Sequence, residues 1–329
     1  MRLSELGEFR LIDAIRARTG TAAGVHRGIG DDAAELELPP GHRLLTSTDL
    51  LLEDVHFRLD WTSAFDLGRK AVAVNLSDIA AMGGAPRFLY VGLACSGATE
   101  VAQLEAFVDG VLTEAAEHGA VLVGGDTCRS PGPWIISVTI EGTAPAGKAV
   151  GRDGARPGDA VLVSGTLGDS ALALALWQQG LTPEPWLAER HTRPVPRVAL
   201  GRGLAEAGLA TAMIDLSDGI ASDLEHILQA SGVGAEIRRA AVPLSPPFRA
   251  RLERQPELFD LALGGGEDYE LLCTVPAARV AEALAVGERC GVPLSAVGAI
   301  TPAGTGLQLR DDAGTVRPLR VRGYDHFCR

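Results

Sequence analysis

Again and again an apolar stretch of this chain runs into a Gly, Ser or Thr step and then an aspartate. The pattern gives GIGDDAA (Asp31, Asp32), TSTD (Asp49), NLSD (Asp78), VGGDT (Asp126) and MIDLSDG (Asp215, Asp218). A further acidic cluster is GGGEDYE (Glu267, Asp268, Glu270). A single aspartate after a strand is ordinarily a turn or helix-capping residue. The repetition predicts more, because strand ends in α/β sheets gather on one rim and ligands sit there. Carboxylates about 5 Å apart repel by about 3 kcal/mol at an effective dielectric of about 20. Several such pairs would exceed the stability of many domains. Hard cations relieve the repulsion. Oxygen-only ligands favour Mg²⁺ or Ca²⁺, and Mg²⁺ shares its coordination between one or two carboxylates and substrate phosphates. Flanking glycines let backbone N–H groups approach phosphate. The residues alone predict a metal-dependent, phosphate-handling enzyme and leave its substrate open.

The formal net charge of -12 argues against non-specific binding to nucleic acid or to an anionic membrane. No apolar run approaches a membrane span, and MRLSELGEFRLIDAIRART lacks the apolar core of a signal peptide. The cysteines (Cys95, Cys128, Cys273, Cys290, Cys328) are scattered without C-x-x-C spacing, so they read as reduced thiols of a cytoplasmic protein.

Strand-like and helix-like segments alternate: strands over 42–49, 87–95, 120–126 and 134–142, helices over 66–83 and 99–119. Residues 143–159 are rich in Gly, Pro and Ala and read as a connection. A second alternation follows, with strands at 160–165, 211–215, 269–275 and 295–300 and helices at 167–180, 196–208, 219–232 and 277–290. The segment around Pro183, Pro185, Pro194 and Pro196 reads as a proline-rich loop. The expectation is an α/β (α+β) protein of two domains, 1–145 and 146–329. Two glycine motifs are decoys. Gly142–Ala149 (GTAPAGKA) nearly fits a phosphate-binding loop, but Ala149 replaces the metal-holding hydroxyl, Pro145 sits inside it and no helix can follow. Gly232-Val-Gly234 follows a helix rather than a strand.

The motif order resembles the thiamine-monophosphate kinase family, within the superfamily of aminoimidazole ribonucleotide synthetase. The resemblance runs through LGEFRLIDAI (6–15), GIGDDAA (28–34), STDLLLEDVHF (47–57), AVAVNLSDIAAMGGAPR (71–87), GGDT (124–127), DLSDG (215–219), GGEDYEL (265–271) and GYDHF (323–327). It implies a two-domain fold whose N-terminal domain donates strands to a dimeric β-barrel and whose C-terminal domain completes the active site. The implied reaction is direct in-line transfer of the γ-phosphoryl group of ATP to thiamine monophosphate, without a covalent nucleophile. It would be the last step of thiamine diphosphate biosynthesis, in a cytoplasmic homodimer. By motif, Asp31, Ser47, Thr48, Asp49, Asp78, Asp126, Asp215 and Asp218 would hold several Mg²⁺. Gly125, Asp126, Arg152 and Ser217 would contact ATP, and His56, Glu267 and Tyr324 would contact thiamine monophosphate.

Overall fold

The computed structural model describes residues 1–20 and 22–320. Its contacts divide the chain into two compact units. One comprises Met1–Ile79 and Gly84–Gly147; the other comprises Ala80–Gly83 and the chain from Lys148 onward. Among the described residues no helix is long and apolar enough to cross a membrane.

The first unit carries a small antiparallel pair, β1 (Val25–Arg27) and β2 (Glu35–Leu36), and a larger sheet. That sheet contains β3 (His42–Leu52), β4 (Ala85–Cys95), β5 (Val121–Arg129) and β6 (Ile135–Pro145), in the order β3-β6-β4-β5. β6 is antiparallel to both β3 and β4, while β4 and β5 run parallel. Successive side chains on a strand point to opposite faces. One face buries Leu51, Leu89, Ile136, Val138 and Ile140. The other leaves Leu44, Leu50 and Ile135 exposed, Leu50 to 58%.

The helix Val101–Glu117 belongs to this unit, as does Ala64–Ala81 apart from its last two residues. They approach each other backbone to backbone, which only glycine allows. A Cβ on Gly68 would lie 2.0 Å from the Phe107 carbonyl oxygen, and one on Gly110 would lie 2.0 Å from that of Phe65. The small residues of DLGRKAVAVNLSDIAAMG thus serve the close packing that the sequence suggests.

The second unit has one mixed sheet built from β7 (Asp159–Ser164), β8 (Ala212–Asp215), β9 (Gly234–Arg238), β10 (Leu271–Pro276), β11 (Leu294–Thr301), β12 (Leu307–Arg310) and β13 (Val316–Pro318). Their order is β13-β12-β9-β11-β7-β10-β8. Every neighbouring pair is antiparallel except β12 with β9. The core joins Val161, Val163, Ile214 and Leu272 of the sheet to Leu172, Leu176, Leu224 and Ile227 of the helices Asp169–Gln178 and Ile220–Ser231. The proline-rich segment departs from expectation: Pro185–Thr192 is a helix with Pro185 at its start. Proline is tolerated in a first turn because that N–H has no intrahelical partner anyway.

Adding a methyl at the helix crossing should be costly. Gly68→Ala and Gly110→Ala should each destabilise the protein by about 1–3 kcal/mol, the usual cost of overpacking. Urea unfolding of the two variants checks this; a midpoint equal to that of the parent would mean that the helices do not meet at these glycines.

Candidate active site

In the second unit, antiparallel pairing sets the C-terminal end of β8 against the N-terminal start of β10, with Leu271 opposite Asp215. The motifs DLSDG and GGGEDYE therefore meet. Leu216 N–H donates to the Glu270 carbonyl at 2.8 Å, Tyr269 N–H to the Leu216 carbonyl at 2.8 Å, and Glu267 N–H to the Ser217 carbonyl at 2.7 Å. This places Asp215, Ser217, Asp218 and Glu267 together. Three non-glycine residues among those described have left-handed backbones: Asp54, Glu267 and Tyr269, with φ of 67°, 65° and 49°. Such conformations cost of order 1–3 kcal/mol each and cluster at functional sites. Two of them lie in this turn and the third is two residues from His56.

The acidic cluster GGGEDYE has three different fates. Glu270 is fully buried, with Ser164 Oγ donating to it at 2.5 Å, Arg190 Nη2 at 2.7 Å and Arg197 Nε at 2.7 Å. Burial alone would raise its pKa, yet Arg197 and Arg190 hold it below the ordinary value. It is an anchor, already fully engaged. Asp268 is buried too and accepts the Gly168 N–H at 2.8 Å, while its Oδ1 has no hydrogen-bond partner; desolvation pushes its pKa up to about 8. Glu267 is half-buried and faces the ring of His191.

Beside Asp215 and Asp218 stands Asp223, which the sequence does not single out. It lies in the first turn of the helix Ile220–Ser231, and its Oδ2 accepts the Asp218 N–H at 3.0 Å. Burial, and then the charges of Asp215 and Asp218, raise its pKa to about 8. Its only sequence signal is the spacing DLSDGIASD, a second turn-capping position after the motif. Arg152 is exposed, and its carbonyl accepts the Ser231 hydroxyl at 2.9 Å.

In the first unit Ser47 and Asp49 share one face of β3, and Ser47 Oγ donates to Asp78 Oδ2 at 2.5 Å. Burial, and then the charge of Asp78, raise the pKa of Asp49 to about 6. Thr48 takes the opposite face, where its hydroxyl donates to the Val138 carbonyl at 3.1 Å and lies 2.9 Å from Thr139 Oγ1. Asp126, exposed on β5, is in register with Gly92 and shares that second face. Gly125 has φ 156°, and a Cβ there would sit 2.1 Å from the Val91 carbonyl oxygen, so only glycine fits against β4 at this point. Asp31 is exposed and paired with Arg27 at 3.1 Å. His56 accepts the Leu52 N–H on Nδ1 at 3.0 Å, which leaves the proton of a neutral ring on Nε2 as a donor. Tyr324 lies outside the described residues.

Among the described residues no three His, Cys, Asp or Glu side chains come close enough together to hold a metal ion. Ser47, Asp49 and Asp78 form one acidic group, and Asp215, Asp218 and Asp223 another. Each offers oxygen donors only, and in each burial followed by the charge of neighbouring carboxylates raises a pKa. That chemistry fits a hard cation which takes one or two carboxylates and completes its shell from phosphate and water.

Two family models match the chain: AIR synthase related protein, N-terminal domain, over residues 30–144, and its C-terminal domain over residues 156–309. The thiamine-monophosphate kinase of Escherichia coli is 43% identical over 332 residues, covering 98% of this chain and 98% of its own. The crystal structure of thiamine-monophosphate kinase from Stenotrophomonas maltophilia superposes with a TM-score of 0.84 at 41% identity, covering 92% of this chain and 96% of that one. The structure of AaThiL complexed with AMPPCP and TMP superposes with a TM-score of 0.76 at 36% identity, covering 99% of each chain.

The crowding at Asp223 has a measurable sign. Its folded pKa of about 8 lies above the ordinary 3.8, so between those values the native state holds an extra proton and stability falls as pH rises. Asp223→Asn keeps the acceptor but removes the charge. In protein stripped of divalent cations, the stability advantage of the variant should widen by at least about 1 kcal/mol between about pH 5 and about pH 7.5, since a fully shifted group contributes about 1.4 kcal/mol per pH unit. Urea melts at several pH values read this directly; a constant difference would mean that Asp223 carries its charge throughout.

Proposed function

The chain belongs to the thiamine-monophosphate kinase family, within the AIR synthase related proteins, and from that premise we propose that it transfers the γ-phosphoryl group of ATP directly to thiamine monophosphate, giving thiamine diphosphate. The observation that carries this reading is the match over nearly the whole chain to kinases of this name, one of them solved with AMPPCP and TMP. The local chemistry supports it. Phosphoryl transfer asks little covalent work of a protein; positioning and charge neutralisation do most of it. No residue acts as a nucleophile, because the acceptor is the phosphate of thiamine monophosphate itself.

In this reading Asp49 and Asp78, with Ser47, and Asp215 and Asp218 would be the principal Mg²⁺ ligands and Asp31 would add a carboxylate, while Thr48 and Asp126, whose side chains take the other face of the sheet, would reach the metals only through their backbone or through water. Bound Mg²⁺ would supply bridging positive charge between two anionic substrates. Gly125 contacts the nucleotide through its backbone, Arg152 offers an exposed guanidinium fork to phosphate, and Ser217 adds a hydroxyl. Glu267 pairs with the aminopyrimidine or the thiazolium charge. His56 donates from Nε2 to the acceptor's phosphate, and Tyr324 offers an aromatic face to the cationic ring. We place the reaction, the last step of thiamine diphosphate synthesis, in the cytoplasm, where exposed thiols such as Cys128 stay reduced. The working form is a homodimer joined through the sheet face that leaves Leu44, Leu50 and Ile135 in solvent, closing the strands into a barrel.

Turnover with ATP and thiamine monophosphate should require a divalent cation. Asp49→Asn and Asp78→Asn keep shape and lose a charged oxygen, so each should lower kcat by on the order of a hundredfold or more, as loss of a group that stabilises developing charge does. Activity within a few-fold of the parent at saturating Mg²⁺ would remove that residue from the ligand set. Leu50→Asp should convert the dimer to a monomer in light scattering, since a charge cannot be buried unpaired in such an interface; an unchanged mass would place the interface elsewhere.

A further inference from the structure

The helix Pro185–Thr192 lays two consecutive side chains against the left-handed turn. Arg190, 6% exposed, donates from Nη2 to the Asp268 carbonyl at 3.1 Å and to the Glu270 carboxylate. His191, 4% exposed, turns toward Glu267. Its Nδ1 lies 3.3 Å from Glu267 Oε2 and 2.9 Å from Ser170 Oγ, and its ring stands edge-on to Trp177 with centroids 5.5 Å apart. A carboxylate oxygen only accepts. A proton on Nδ1 therefore suits both neighbours: it makes the hydrogen bond with Ser170 Oγ at 2.9 Å and sets positive charge against Glu267 Oε2 at 3.3 Å. The His191 ring is fixed by Trp177 and by its burial. It can thus hold a half-buried carboxylate that sits on backbone of its own unfavourable conformation.

We propose that His191 is a positioning residue that orients Glu267 toward the cationic heterocycle of thiamine monophosphate, so that selectivity for the acceptor is set from the helix Pro185–Thr192. This rests on the reading of Glu267 as a substrate contact. Nδ1 is the functional atom, and that makes a specific demand on replacements. An asparagine amide nitrogen reaches the place of Nδ1, whereas that of glutamine reaches the place of Nε2.

The test is steady-state kinetics on the full chain for His191→Ala, His191→Asn, His191→Gln, Glu267→Gln and the double variant His191→Ala with Glu267→Gln. His191→Ala should raise the KM for thiamine monophosphate about tenfold, as loss of one polar contact with a charged group does, with kcat and the KM for ATP within about twofold. Asn should recover most of the loss and Gln should not. The double variant should be no worse than Glu267→Gln alone. Parallel rises in both KM values, additive losses in the double variant, or rescue by Gln as good as by Asn would each overturn the proposal. If His191→Ala fails to fold, the contrast between Asn and Gln decides in the same way. A parent enzyme that did not turn over thiamine monophosphate would instead refute the functional reading. Nitrogen NMR of His191 would still decide the contact: a protonated Nδ1 whose shift changes in Glu267→Gln supports it, and an unprotonated Nδ1 overturns it.

Discussion

A carboxylate taken out of water must be given an opposite charge, a set of donors or a proton. That requirement sorts the acidic residues here more sharply than their motifs do. Glu270 has two guanidinium groups and a serine hydroxyl, and stays ionised in the core. Asp169 accepts from Ser245 at 2.5 Å, Thr166 at 2.6 Å and the Trp186 indole at 3.0 Å. These are closed arrangements with nothing left to offer a ligand. Asp49 and Asp223 are different. Each is raised well above the usual range by burial together with acidic neighbours, so each would gain from an external cation. The fold thus leaves acids uncompensated beside the recurring motifs, Asp49 next to Asp78 and Asp223 next to Asp215 and Asp218.

How much of this is legible in the sequence depends on range. Elements of strong local pattern, such as the helix Val101–Glu117 and the strand Ala85–Cys95, stand within a few residues of expectation. The helix Pro185–Thr192 does not announce itself, because proline reads as a breaker unless it is known to occupy a first turn. Its loss is consequential, since Arg190 and His191 lie on it. The division of GGGEDYE is also invisible locally. What makes Glu270 structural is Arg190 and Arg197, distant in sequence and brought in by tertiary packing. The separation of Thr48 from Ser47 and Asp49 follows from strand parity and could have been read once the strand was recognised.

The convergence of motifs arises by a route other than the one that repetition suggests. A parallel sheet gathers the C-terminal ends of strands on one rim. The second unit has an antiparallel pairing at this place, which sets the end of β8 beside the beginning of β10. A motif that follows one strand and a motif that precedes another therefore become neighbours, tied by hydrogen bonds between their backbones rather than by their side chains. The tie itself therefore does not depend on which side chains the two motifs carry.

That backbone tie also explains how one short stretch can be both anchor and site. From Glu267 to Glu270 the chain is entering β10, and its side chains alternate. Asp268 and Glu270 are buried; Glu267 and Tyr269 are half-buried, and both have left-handed backbones. The two left-handed residues cost of order 1–3 kcal/mol each. Removing one partner of a buried ion pair typically costs about 3–5 kcal/mol, so the Arg190, Arg197 and Glu270 cluster resists the relaxation that would relieve the turn. The strain is tolerated because its neighbours on either side are over-determined: the backbone bonds to Leu216 and Ser217, and the charge cluster beneath. A one-residue slip would exchange the two sets, bringing Glu267 and Tyr269 into a core that has no partners for them and carrying Glu270 away from its arginines. The alternation that keeps Glu270 on its arginines therefore also keeps Glu267 out of the core and beside His191.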